Sequence, residues 1–114
     1  MTIYQYIHAL RTTISDRPTR KEWATVEPML SYARAVAKGP EAVKTYRDSL
    51  VAKEINKEVD RDTQIAIMFN KDSNPEEYQN YQELRVECKT RVDDRLATLQ
   101  AELDKILKET ESNG

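Results

Sequence analysis

Ile67-Met68-Phe69-Asn70-Lys71-Asp72-Ser73-Asn74-Pro75-Glu76-Glu77 is the stretch whose reading decides the fold. Apolar residues stop at Phe69, five polar residues follow, and a helix start is spelled out at Asn74-Pro75. Asn74 is an N-cap residue, Pro75 suits the first helical position, and Glu76 and Glu77 complement the positive end of the helix dipole. Downstream, Tyr78, Tyr81, Leu84, Cys88, Val92, Leu96, Leu99, Leu103 and Ile106 recur at helical spacing and predict one helix running almost to the end of the chain. Fraying is expected over 111–114. Upstream, residues 41–70 favour helix, with Val43, Tyr46, Leu50, Val51, Ile55, Val59, Ile65, Ala66 and Phe69 on the apolar side.

Two long amphipathic helices joined by so short a loop must lie antiparallel. Registered on Ser73, Val59 faces Cys88, Ile55 faces Val92 and Val51 faces Leu96. The same register sets Asp62 against Arg85, either as a cross-hairpin ion pair or with both side chains in water and Leu84 filling the seam.

The first forty residues predict two more helices. Ile3, Ile7, Leu10 and Ile14 mark one from Thr2 to about Ser15; Asp16-Arg17-Pro18 interrupts it. Thr19 with Glu22 has the form of a capping box, opening a second helix with the stripe Trp23, Val26, Leu30, Ala33 and Ala37. Gly39-Pro40 ends that helix, and Pro28 within it predicts a kink or a break, because it lacks a donor and crowds the carbonyl of Ala24. The expected fold is therefore all-α: a long antiparallel helical hairpin, coiled-coil-like, over 40–110, with two N-terminal helices over 1–38 packed at its base. At 114 residues the chain is expected to form a single domain.

Geometry singles out the turn end of this hairpin. A helix over 41–70 would be about 45 Å long, whereas the helix before it would cover only about 28 Å of it. Ile65, Ile67, Met68 and Phe69 would then stand at an uncovered tip with Tyr78 and Tyr81, pointing in more directions than one seam can bury. Large exposed apolar patches mark interfaces, so these six residues are the candidate protein interface, for a second copy of the chain or another protein. The competing arrangement breaks the helix near Asp60-Arg61-Asp62-Thr63, with Asp62 or Thr63 capping a new one, and buries the cluster in a compact bundle.

Composition narrows the chemistry. The formal net charge of −2 gives no overall field towards nucleic acid or an anionic membrane. One cysteine, Cys88, and one histidine, His8, build neither a disulfide framework nor a Cys/His zinc site within one chain. Neither glycine belongs to a phosphate-binding loop. No catalytic residue, cofactor, metal site or small-molecule substrate is predicted. Glu54, Glu58 and Asp62 step along one helix face with Asp93 and Asp94 on the next helix, a pattern that a magnesium site could use. Lys53, Lys57 and Arg61 beside them favour a solvated stripe instead. Arg11, Arg17, Arg20 and Lys21 flank the first turn and are the alternative nucleic-acid contact. No apolar run is long enough to cross a bilayer, and the lone cysteine fits a reducing compartment, so a cytoplasmic protein is expected.

The function expected from the sequence is a non-enzymatic helical interaction module (adaptor, assembly factor or inhibitor) acting through its hairpin, with a homodimer as one form. Small charged helical proteins of this kind are frequent among accessory proteins of phages and mobile elements, an association rather than a derivation. The alternative is a nucleic-acid-associated regulator using the basic turn.

Overall fold

A computed structural model describes residues 1–14 and 16–112, with side chains up to Lys108. Among the described residues the chain is all-helical: α1 (Ile3–Thr12), α2 (Arg20–Lys38), α3 (Pro40–Glu58), α4 (Arg61–Phe69) and α5 (Pro75–Ser112). The last two residues, expected to fray, lie outside them.

Local signals place most of the boundaries. The Thr2 hydroxyl accepts from the Gln5 amide at 3.2 Å and the Gln5 side chain accepts from the Thr2 amide at 2.8 Å, a complete capping box on α1. Thr19 accepts from the Glu22 amide at 3.2 Å to open α2. At the far end of α2, Gly39 adopts φ +123°, a conformation that L side chains rarely tolerate, and Pro40 starts α3 directly after it. Asn74 accepts from the Glu77 amide at 3.3 Å and opens α5.

Three expectations are corrected. Of the kink or break expected at Pro28, the break does not occur: α2 continues from Arg20 to Lys38 and buries Leu30, Tyr32, Ala33 and Ala35 beyond the proline. Burial of that segment outweighs the one hydrogen bond the proline forfeits. Trp23, expected in the apolar stripe, is exposed. The single helix over 41–70 is two helices, separated at Val59 and Asp60. The new cap is Asp60, whose carboxylate accepts from the Thr63 amide at 2.7 Å, and not Asp62 or Thr63.

The chain resolves into two compact units: Met1–Tyr46 with the chain from Leu96 onward, and Arg47–Arg95. In the first, α1 packs on α2 with no fully buried side chain of its own, while Leu30 and Leu103 are the most deeply buried large residues. The Tyr32 hydroxyl donates to Gln100, whose amide donates to Asp104 at 2.8 Å. Burial, followed by the charge of Asp104, raises the Tyr32 phenol's pKa; burial and then Glu102 do the same for Tyr6.

In the second unit the core is Val51, Ile55, Ile67, Tyr81, Cys88 and Val92. Of the expected seam positions of α3 and α5 in this unit, Val51, Ile55, Tyr81, Cys88 and Val92 are buried, while Leu50, Val59, Tyr78 and Leu84 are half-buried. Arg47 donates to both carboxylate oxygens of Asp93 at 2.9 and 3.1 Å, Arg91 donates to Glu58 at 3.2 Å, and Tyr81 donates to Gln64 at 2.7 Å. Partners step back from 93 to 81 as the chain advances from 47 to 64, so the paired segments run antiparallel.

Candidate functional site

The site is the outer face of α4, and its orientation is set by one glutamine. Gln64 sits one turn after the Asp60 cap. Its amide nitrogen donates to the Asn56 side chain at 2.7 Å and to the Val59 carbonyl at 2.8 Å, while its oxygen accepts from the Tyr81 hydroxyl at 2.7 Å. Both the end of α3 and the start of α5 are therefore tied to the same side of α4. Ile67, one turn further on, is buried on that side and lines a cleft with Val59, Tyr81 and Leu84.

Fixing Gln64 and Ile67 inward rotates the remaining apolar residues of α4 outward, because side chains at i, i+3 and i+4 share a face. Ile65, Met68 and Phe69 form that face, with 55%, 51% and 88% of their surface exposed. Of the six residues predicted at the tip, Ile67 and Tyr81 belong to the unit's interior and Tyr78 is half-buried. The premise of one long helix fails, and so does burial of the whole cluster by a helix break. A break occurs, yet three large apolar side chains stay at the surface.

Asp62 and Arg85 do not pair. Asp62 is exposed, and the Arg85 guanidinium lies 5.9 Å from the centre of the Tyr81 ring.

Glu54 and Glu58 of the carboxylate stripe belong to an ion-pair cluster. Glu54 is 8% exposed; Lys57 approaches its carboxylate at 3.2 Å, Arg95 at 3.7 Å and Arg91 at 3.9 Å, while Arg91 also holds Glu58. Three cations thus share the Glu54 carboxylate. Among the described residues no group of three His, Cys, Asp or Glu side chains is close enough together to hold a metal ion. The Cys88 thiol is buried, with an Arg91 nitrogen 3.3 Å from its sulfur. His8 is exposed on α1.

The four basic residues of the first turn are all exposed. Arg11 lines a cleft with Trp23, Asp16 and Arg34; Lys21 lines a different one with Thr13, Glu22 and Thr25. No helix among the described residues is long and apolar enough to cross a membrane.

The ion pairs carry a pH dependence. The Lys57 hydrogen bond lowers the pKa of Glu54, with Arg95 and Arg91 adding to the effect against the opposing influence of burial; the Arg47 hydrogen bond lowers that of Asp93; the Thr63 backbone amide lowers that of Asp60. A carboxyl with a depressed folded-state pKa binds fewer protons folded than unfolded. Its contribution is complete above the unfolded value of about 4 and is lost as pH falls through the folded value. Thermal melts are expected to show a plateau above about pH 5 and a falling midpoint below pH 4. Glu54→Gln should flatten that fall; an unchanged slope would remove Glu54 as a contributor.

Set against protein-family models, curated proteins and solved structures, the chain matches none of them.

Proposed function

We propose that the chain is a non-enzymatic helical protein-interaction module, an adaptor, assembly factor or inhibitor of cytoplasmic setting, whose contact surface is the outward face of α4. The observation that carries this reading is Phe69, 88% exposed on a helix whose other side is anchored by hydrogen bonds. A phenylalanine held in water forgoes about 2 kcal/mol of burial free energy. Ile65 and Met68 beside it turn a single exposed residue into a contiguous apolar face of the kind that protein contacts cover. Charged residues Arg61, Asp62 and Asp72 border it, giving the polar rim over an apolar centre that interfaces share. The exposed basic residues of the first turn support nucleic-acid contact less well, since Arg11 and Lys21 line different clefts, with Asp16 in one and Glu22 in the other.

Benzophenone chemistry tests the site. With p-benzoylphenylalanine in place of Phe69, irradiation of the full-length protein in its native cells is expected to yield a covalent adduct heavier by the mass of a protein. The same group at exposed Thr90 should give none. Adduct formation at neither position, or equally at both, would overturn α4 as the contact face.

A further inference from the structure

The outward face of α4 has a symmetry that names its partner. Arg61, Ile65, Met68 and Asp72 follow one another at helical spacing along one stripe, with Phe69 beside it. Asp72 lies beyond the end of α4, where the Asn70 backbone leaves helical geometry (φ −98°, ψ 16°) and its carbonyl accepts from the Ser73 amide at 3.1 Å and from the Asn74 amide at 2.8 Å, so a single hydrogen-bonded turn carries the acidic end of the stripe. The stripe reads basic, apolar, apolar, acidic, and it is complementary to itself when reversed. A two-fold axis between positions 66 and 67 sets Ile65 against Met68 and Arg61 against Asp72 in both directions at once.

Competing arrangements lack this match. Parallel pairing sets Arg61 on Arg61 and Asp72 on Asp72. An antiparallel register centred on position 67 sets Asp62 on Asp72. Like charges meet in both. Among the described residues, neither Arg61 nor Asp72 has an ion-pair partner within 4.0 Å. Both charges are exposed and available.

We infer that the protein associates with a second copy of itself through antiparallel α4 helices about a two-fold axis, Ile65 packing on the partner's Met68 and Arg61 pairing with the partner's Asp72. The inference rests on reading α4 as the contact face and specifies what occupies it. An isologous contact of this kind closes on itself and stops at the dimer. Its core is three apolar side chains per copy, well below the roughly 800 Å² per partner of tight complexes, so dissociation near ~100 µM is expected.

Sedimentation velocity on the full chain from about 10 µM to about 1 mM tests this range. Wild type is expected to shift from monomer to dimer and no further. Arg61→Asp alone, or Asp72→Arg alone, places like charges on both sides of the axis and should weaken the dimer about tenfold; the double variant R61D/D72R restores the pairs in reverse and should recover most of the loss. Circular dichroism confirms that each variant stays helical. A wild type that remains monomeric throughout, or a double variant no better than the singles, would overturn the pairing. Failure of this inference and failure of the contact face itself are separable. If Phe69→Ser abolishes an assembly that ignores the charge swaps, or the residue 69 cross-linker captures another protein while wild type is monomeric, α4 stands as the face and the self-pairing falls. Without an adduct at residue 69, in cells or in the purified protein at about 1 mM, the face falls too.

Discussion

Leu30→Ala is expected to destabilise the protein by about 3 kcal/mol, the size of effect that truncating a well-packed leucine produces. Leu30 is 1% exposed and lies on the buried stripe of α2 with Ala33, and it shares its unit with Leu103. Truncation removes the transfer free energy of the lost carbons and leaves a cavity. Neighbouring Ala33 and Ala35 are too small to fill that space by changing rotamer. For a chain of this size the loss corresponds to a fall of roughly 15 °C in the melting midpoint. Circular dichroism melts and urea titrations would measure it. A loss under about 1 kcal/mol would mean that α2 beyond Pro28 is not held by this packing.

The second large effect is expected from Val92→Asp. Val92 is 0% exposed on α5, in the core that also contains Val51, Ile55 and Cys88. A carboxyl there must either ionise without a partner or accept a proton, and the nearest cations on α5, Arg91 and Arg95, are directed at Glu54. The cost is expected to be about 4 kcal/mol or more at neutral pH, enough to abolish a cooperative melt in a marginally stable domain. Its sign with pH is opposite to that of the wild-type carboxylates. Burial raises the introduced group's folded-state pKa, so the deficit is smallest below the unfolded value of about 4 and grows as pH rises above it. A variant that melts like wild type at pH 7 would show that the α3–α5 core is wet.

Glu54 illustrates how far a pattern of residue types carries. On the sequence it is one of several acids on a charged helix face, and its neighbours at i+3 and i+4 favour solvent. In the fold it is the one charged residue among the buried set of the described residues, surrounded by Lys57 and by Arg91 and Arg95 from α5. Nothing local distinguishes it from Glu58, which stays exposed. The difference arises from which side of α3 meets α5, and that is a property of two helices rather than one.

By itself the sequence determined the helical class, the start of α2 at Thr19, the stop at Gly39-Pro40, the start of α5 at Asn74-Pro75, and the apolar positions Val51, Ile55, Cys88 and Val92 that became buried. These are consequences of caps, proline geometry and helical periodicity, all of which act within a few residues. Only the tertiary structure decided the rest. Asp60, Asp62 and Thr63 are each capable of capping a helix, and the one used is that which places Gln64 within reach of Asn56, Val59 and Tyr81. That choice sets the rotation of α4, and the rotation buries Ile67 while leaving Ile65, Met68 and Phe69 in solvent. Four large apolar residues within five positions cannot all lie on one face of a helix, and which of them face outward depends on contacts made with residues far along the chain.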